Sequence, residues 1–382
     1  MIITEVLPLR LDQFLFVQIH TDAGISGLGE SGAWGHLDAS AAAVGTFAAY
    51  LKGKDPRRIE HHWQVMHRSG HFRGAAIMGA ISAIDIALWD IKGKALGVPA
   101  FELMGGRYHD RVRVYGHVKA ATADAMVEGC MALKEAGYTA IGHFNPFLDE
   151  DPGEAYFKPH ARKIEDAVDV VRRVREAVGP DVDLCVEIHR RLTPAEAIVF
   201  GRAIEPFRPM FYEDPIRPDG LDSMAAVAAQ IGIPIATGER LTGIYDFQAL
   251  MARGALRYAR TCVCLCGGLT GAKKIAALAE ANNIEVVPHN PLSPVSLAAC
   301  LQLDACIPNC AIQEYPSGGA PSFDLPAQNI VTHPHRPKHG FIEISDAPGI
   351  GVELTPDAAE RFPPSARPIG MRSHVDGSVV DQ

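Results

Sequence analysis

The sequence lacks a long hydrophobic run. No stretch reaches the about 18 uninterrupted apolar residues that a membrane-spanning helix needs. We also expect no secretion, because Met1–Val6 has no basic segment or cleavage site and already follows the pattern of a β-strand. We therefore expect no membrane partner and predict a cytoplasmic location.

Positive charge is scarce as well. Lys and Arg number 36 against 45 Asp and Glu, which gives a formal net charge of −9. A chain of this sign is not drawn to phosphate backbones, so we expect no nucleic-acid partner. At 382 residues the chain exceeds the roughly 250–300 residues at which a single core stops growing, so we expect more than one unit.

Cysteine pairs with the Cys-x₂-Cys spacing of zinc sites are absent. Cys262, Cys264 and Cys266 alternate instead, which predicts one face of an extended strand. We interpret the eight cysteines as buried thiols in a reducing compartment.

The order of elements along the chain predicts two units and a tail. Strand patterns followed by helical periodicity, clearest in residues 80–92, indicate a small α+β domain over residues 1–111. Strand and helix patterns then alternate over residues 112–325, which predicts a parallel α/β barrel. Residues 326–382 are expected to return to the first domain. The eight predicted strands are 112–118, 138–144, 182–189, 209–214, 233–239, 257–263, 284–289 and 310–315.

Three carboxylates end consecutive predicted strands. Glu187, Glu213 and Glu239 recur every 26 residues, the length of one strand-helix unit. A carboxylate at the end of a buried strand needs a cation to stay charged. Because the strand ends of a βα barrel meet on one rim, the three predict a shared metal, and oxygen ligands favour Mg²⁺.

Further polar residues end neighbouring strands. His189 shares a face with Glu187, His289 ends the seventh strand and Glu314 lies on the eighth. A cation beside two histidines could stabilise the enediolate that forms when a proton leaves the carbon next to a carboxylate, with the histidines as general acid and base.

Five motifs together match a known family. They are Ser82–Lys94, Phe211–Pro215, Thr237–Arg240, Gly267–Thr270 and Pro288–Pro294. In these motifs the chain resembles the enolase superfamily, in its mandelate racemase and sugar-acid dehydratase branch. The resemblance implies an α/β fold, a modified TIM barrel of (β/α)7β type with an α+β N-terminal capping domain, whose segments 24–35 and 66–74 cover the barrel mouth. It also implies an Mg²⁺-dependent dehydratase, a carbon-oxygen lyase that forms a 2-keto-3-deoxy sugar acid, usually as a homo-oligomer (dimer or octamer).

The resemblance also implies roles for single residues. In galactonate dehydratases the residue at the position of His289 removes the α-proton, that at His189 protonates the leaving 3-hydroxyl, and that at Glu314 helps hold the substrate carboxylate. Glu187, Glu213 and Glu239 match the Mg²⁺ ligands. Expected substrate contacts are Arg240, His71, Arg73 and Trp34.

Two departures leave the base open. Gly142 and Phe144 replace the Lys-x-Lys of racemases, which argues against racemisation, and His143 between them is interpreted as pointing away from the site. Cys262 stands where an Asp usually orients the histidine of strand seven. This resembles mannonate dehydratases, whose base is an Arg–Tyr pair, and here Tyr156 would be the Tyr.

The substrate is expected to be a small sugar acid, galactonate-type preferred, with mannonate or gluconate as alternatives. Two other functions stay open: a cycloisomerase or epimerase on a related acid, and a catalytically lapsed barrel that binds a sugar acid.

Overall fold

Three antiparallel strands begin the chain in the computed structural model, which describes residues 1–148, 155, 157–189, 191–320, 322–366 and 370–380. Three helices follow, and α3 packs on β3 because a Cβ at Gly29 would lie only 2.0 Å from the carbonyl oxygen of Ala83. The predicted α+β capping unit is confirmed. Its elements are β1 (Ile3–Leu11), β2 (Phe14–Thr21), β3 (Ser26–Glu30), α1 (Leu37–Leu51), α2 (Ile59–Arg68) and α3 (Ala75–Leu96).

Eight parallel strands form the barrel. The eighth strand pairs with the first, and a parallel bridge between Val286 and Cys310 joins the seventh strand to the segment that leads into the eighth. The predicted barrel is confirmed, with strands shorter than the sequence pattern suggests. They are β4 (Arg111–His117), β5 (Ala140–Phe144), β6 (Asp183–Glu187), β7 (Phe211–Glu213), β8 (Ile235–Thr237), β9 (Tyr258–Ala259), β10 (Glu285–Val286) and β11 (Gln313–Tyr315).

Helices surround these strands. Thr193 and Glu196 form a capping box at the start of α6, which explains its sharp beginning. Among the described residues no helix is both long and apolar enough to cross a bilayer. The barrel helices are α4 (Ala123–Glu135), α5 (His160–Val178), α6 (Pro194–Ile204), α7 (Leu221–Ala228), α8 (Ile244–Ala252), α9 (Gly268–Ala281) and α10 (Pro294–Asp304), and short 3-10 helices lie at Ala100–Met104, Glu205–Phe207 and Gln328–Ile330.

The segment after the barrel contacts both units. One of its strands pairs antiparallel with β4, and the backbone N–H of Ile350 donates to the carboxylate of Asp90 in α3, at 2.8 Å. Its elements are β12 (Val331–Thr332), β13 (Phe341–Glu343), β14 (Glu353–Leu354) and α11 (Ala358–Arg361).

Side chains fill the barrel interior. The inward residues of successive strands form one buried layer, as barrels of eight strands require. Among the described residues, this layer closes the centre of the barrel. The buried layer contains Tyr115, Ala140, Cys185, Phe211, Ala236, Val287 and Ile312.

Two buried carboxylates of the capping unit hold it against the barrel. Glu30 accepts hydrogen bonds from Ser293 Oγ at 2.5 Å and from the backbone N–H of Ser296 at 3.0 Å, at the start of α10. Asp85 accepts one from the backbone N–H of Thr270 at 3.0 Å, in the first turn of α9. The carboxyl group of each residue accepts a hydrogen bond from an N–H group that a helix leaves unpaired.

The prediction that three cysteines share the face of a strand is wrong. β9 ends at Ala259, and the chain then turns, with the N–H groups of Leu265 and Cys266 both donating to the carbonyl of Cys262. The alternation therefore has no structural meaning, because the strand ends before it begins.

Candidate active site

Three glutamates meet on the barrel rim. Glu187 ends β6, Glu213 ends β7 and Glu239 follows β8 by two residues, so parallel strands bring all three to one edge. One oxygen of each lies within 4.8 Å of one oxygen of the others. Glu187 and Glu213 are buried, and Glu239 is partly exposed.

The electrostatics of this trio favour a bound cation. Burial raises the pKa of Glu213 well above its ordinary value, and the charges of Glu187 and Glu239 add to the rise although Arg260 opposes it. Oε2 of Glu213 is buried and has no hydrogen-bond partner among the described residues. A divalent ion would supply both the missing partner and the missing positive charge, so the residues present fit a metal.

His143 points into the site, so the prediction that it faces away is wrong. Gly142 pairs with Cys185 and Phe144 with Val186, which leaves His143 as the extra residue of a β-bulge, at φ 48°. The bulge turns the ring inward, and its Nδ1 pairs with Glu187 Oε2.

Both oxygens of Glu187 therefore face a histidine. Nε2 of His189 lies 2.8 Å from Glu187 Oε1, and the His189 ring packs edge-on against that of His143, with centroids 4.6 Å apart. Burial alone would favour the protonated acid, but the charges of the two histidines bring the pKa of Glu187 well below its ordinary value. His189 also has a positive φ of 52°, a backbone strain that is typical of functional sites.

His117, which the sequence reasoning missed, completes a row of histidines. Its ring stacks on that of His143 with centroids 4.4 Å apart, and its Nε2 lies 2.9 Å from Glu314 Oε1. Burial, with the charge of His143, lowers the pKa of His117 to about 4, so it is neutral at pH 7. His117 ends β4, so reading the end of the first strand like those of the others would have found it.

Arg260 joins distant parts of the rim. The side chain is 1% exposed, its Nε donates to Glu213 Oε1, and its Nη2 donates to Glu314 Oε2 at 2.5 Å. Nη1 donates to the backbone carbonyls of Val287, at 3.1 Å, and Pro288, at 3.4 Å. The guanidinium of Arg260 thus holds three groups in place. They are Glu213 of the trio, Glu314, and the backbone just before His289.

Glu314 has hydrogen-bond donors on both oxygens. Oε1 accepts from His117, and Oε2 accepts from Arg260 and from the backbone N–H of Asn290 at 2.7 Å. Burial opposes ionisation, but the positive charge of Arg260 brings the pKa of Glu314 well below its ordinary value. An ionised carboxylate accepts hydrogen bonds and cannot donate one to another carboxylate.

His289 lies beside a different glutamate of the trio from His143. Its Nε2 is 3.4 Å from Glu239 Oε2, and burial lowers its pKa even though Glu239 acts in the other direction. Its Nδ1 is buried without a hydrogen-bond partner among the described residues. Burial also raises the pKa of the Cys262 thiol well above its ordinary value, so this residue is a neutral thiol.

A cavity of about 1300 Å³ opens above the trio. Arg240 and Trp34, both expected to touch substrate, lie in its wall, but the wall does not include His71 or Arg73, which are exposed in the loop before α3. Tyr156 lies outside the described residues. The wall also contains Gly32, His36, His117, His143, His189, Glu239 and His289.

Family models match most of the chain. The mandelate racemase/muconate lactonizing enzyme N-terminal domain matches residues 6–105, and the enolase C-terminal domain-like model matches residues 119–358. The chain therefore belongs to the mandelate racemase/muconate lactonizing enzyme family of the enolase superfamily.

Particular relatives share nearly the whole chain. It is 39% identical to D-galactonate dehydratase of Variovorax paradoxus over 97% of this chain and 96% of that protein. It is 37% identical to D-galactonate dehydratase of Ralstonia nicotianae over 99% of both.

Solved structures agree with the fold. An enolase from Agrobacterium radiobacter, a candidate galactarate dehydratase solved with sodium and L-malate bound, has a TM-score of 0.91 at 30% identity and full coverage of both chains. A candidate mandelate racemase/muconate lactonizing enzyme from Labrenzia alexandrii has a TM-score of 0.89 at 31% identity, over 98% of this chain and 100% of that one.

Proposed function

We propose that this protein is a sugar-acid dehydratase, a hydro-lyase that removes water from an aldonate-type acid and yields a 2-keto-3-deoxy sugar acid. The observation that carries the proposal is the glutamate trio at a cavity whose wall contains Glu239, His189 and His289, in a chain 39% identical to a D-galactonate dehydratase. A galactonate-type substrate is preferred for the same reason, with mannonate or gluconate as alternatives.

We infer that the metal is Mg²⁺, held by Glu187, Glu213 and Glu239. The three ligand atoms are carboxylate oxygens, which Mg²⁺ prefers, and Glu213 Oε2 is buried without another partner among the described residues. When bound, such an ion stabilises the negative charge that develops on the substrate as its α-proton leaves.

His289 is the proposed base that takes the α-proton. A base must be neutral before it acts, and burial keeps the pKa of His289 below its ordinary value. Its backbone position is fixed by Arg260, which binds the carbonyls of the two residues before it. Tyr156 and His143 are the alternative bases, and His143 qualifies because the bulge directs it into the same cavity.

His189 is the proposed acid that protonates the departing 3-hydroxyl group of the enediolate. It lies beside Glu187 whereas His289 lies beside Glu239, so the two histidines can act on different parts of one substrate. Arg240 in the cavity wall supplies a positive charge for the acid substrate. Glu314 acts here by orienting His117 and Arg260, because both of its oxygens already accept hydrogen bonds.

A substrate screen tests the proposal. The protein with Mg²⁺ is incubated with six-carbon aldonates and uronates, and semicarbazide detects 2-keto-3-deoxy products. Exchange of the α-proton in D₂O is followed in parallel by NMR. Exchange without dehydration would favour the epimerase or cycloisomerase alternative. If the protein catalyses neither exchange nor dehydration of any acid, the remaining alternative is the catalytically lapsed barrel that binds a sugar acid.

The cytoplasmic location and the homo-oligomer, a dimer or an octamer, stay predictions. Light scattering on the purified protein measures the second directly.

A further inference from the structure

We propose that Arg260 makes the glutamate site select Mg²⁺ over the larger Ca²⁺, because the guanidinium occupies the second oxygen of Glu213. This inference rests on the metal site of the proposed function. It goes beyond that function by assigning ion selectivity to a residue that binds no ion itself.

The two oxygens of Glu213 differ sharply. Oε1 accepts the Nε–H of Arg260, whereas Oε2 is buried and has no hydrogen-bond partner among the described residues. Oε1 keeps a second lone pair, but a cation bound there would lie beside the positive charge of Arg260. Arg260 therefore favours coordination by Glu213 through Oε2 alone.

This limit matters because the two ions make different demands. Mg²⁺ binds six ligands in a strict octahedron and takes one oxygen from each carboxylate, whereas Ca²⁺ takes six to eight oxygens and often uses both oxygens of one carboxylate. A trio in which Glu213 offers a single oxygen suits the smaller ion. For Ca²⁺, the same trio provides one ligand oxygen fewer than it would if Glu213 coordinated through both oxygens.

Arg260 cannot easily move aside. Its Nη2 is held by Glu314 at 2.5 Å and its Nη1 by the carbonyls of Val287 and Pro288. The ring of Tyr115 also faces the guanidinium, with its centroid 5.8 Å from Cζ. A planar guanidinium that is bound at all of these points stays hydrogen-bonded to Glu213.

Histidines lie beside the other two glutamates. Glu187 is paired with His143 and His189, and Glu239 lies 3.4 Å from His289. A neutral imidazole can turn away from a carboxylate when an ion arrives, but arginine keeps its charge at every relevant pH. The partner of Glu213 Oε1 therefore keeps its positive charge, which the histidines beside Glu187 need not do.

Calorimetry on an Arg260→Met variant tests the proposal. Chelator-treated protein without substrate is titrated with MgCl₂ and separately with CaCl₂. Loss of one positive charge strengthens the binding of both divalent ions alike, so the ratio of the two Kd values isolates the geometric effect. We expect Kd(Ca²⁺)/Kd(Mg²⁺) to fall by about tenfold or more, since Glu213 can then bind through both oxygens. Arg113→Met is the matched control, because Arg113 pairs with Asp183 at the start of β6 and should keep the wild-type ratio.

A double variant, Arg260→Met with Glu314→Gln, guards against misfolding. It removes one positive and one negative charge together, and such replacements of buried pairs by neutral residues are often tolerated. Its Kd ratio should fall as in the single variant, and circular dichroism checks that both variants are folded. An unchanged ratio in a folded variant would overturn the role of Arg260. A wild-type protein that binds neither ion would overturn the metal site itself.

Discussion

Gly142 lies so close to Tyr115 that a Cβ atom at position 142 would be 2.3 Å from Cδ2 of the tyrosine ring. Any larger residue would therefore displace a ring that is fully buried in the barrel. Tyr115 in turn faces Arg260, so the absence of a side chain at Gly142 supports the packing beneath the rim.

Replacing this glycine should destabilise the protein. We expect Gly142→Ala to lower the free energy of unfolding by about 1–3 kcal/mol, the usual cost of overpacking a core. Urea denaturation measures it. Gly45→Ala is the control, because a Cβ at Gly45 meets no atom within 4 Å and alanine suits the interior of α1. Equal effects of the two substitutions would contradict the packing argument.

Removing the metal should lower the melting temperature. A ligand present at a hundred times its Kd stabilises the folded state by about 2.7 kcal/mol, so EDTA should lower Tm and Mg²⁺ should restore it. Glu213→Gln should abolish the Mg²⁺ response, whereas Glu128→Gln, on the exposed side of α4, should keep it. Scanning calorimetry with and without Mg²⁺ measures this change in Tm. If Mg²⁺ still raises the Tm of Glu213→Gln, the metal binds elsewhere.

The two histidines should separate the half-reactions. We expect His289→Asn to lower both α-proton exchange and dehydration about 10²- to 10⁴-fold, the range typical of a lost general base. NMR in D₂O follows exchange, and the semicarbazide assay follows product. Exchange that persists in His289→Asn would move the base to Tyr156 or His143.

His189→Asn should have a different signature. We expect this variant to keep α-proton exchange and to lose dehydration, because only the departure of the 3-hydroxyl needs its proton. The same two assays report on it. Loss of exchange and dehydration together would contradict a role confined to the leaving group.

The buried carboxyl of Glu30 should make stability depend on pH. Burial raises the pKa of Glu30 to about 8, against a usual value of 4.5. Between these pH values the folded state holds a proton that the unfolded chain releases, so this contribution to stability is complete below pH 4.5 and is lost as the pH rises through 8.

Glu30→Gln should remove that dependence. We expect the free energy of unfolding of the wild type to fall more steeply from pH 5 to pH 8 than that of the variant, as measured by urea titrations. Glu5→Gln, an exposed residue of β1, should follow the wild-type curve. If the free energy of unfolding falls equally steeply with pH in the wild type and in Glu30→Gln, the carboxyl group of Glu30 does not titrate between pH 5 and pH 8.

The glutamate trio was predictable because its geometry follows from local patterns. Each of the three residues follows a short apolar run, and parallel strands necessarily bring their ends to one rim. The same rule applied to Glu314 and His289, and the structure places both at this rim. It would also have found His117, whose strand-end position is equally plain.

His143 and Arg260 could not be assigned in this way. The inward turn of His143 depends on a bulge, which shifts the side-chain alternation that the sequence reasoning assumed for a regular strand. Arg260 meets carboxylates that are 47 and 54 residues away along the chain. Its burial is a property of the assembled barrel, which no local pattern reveals.

The carboxyl groups of Glu30 and Asp85 also bear on how the chain folds. The N-terminal unit leaves the ribosome before α9 and α10 have been synthesised, and it carries the groups that complete the first turns of both helices. We therefore expect the later half of the barrel to complete its folding against this unit. A barrel cut free of this unit would expose the unpaired N–H groups of two helices to water, so it should be the less stable half of the divided molecule.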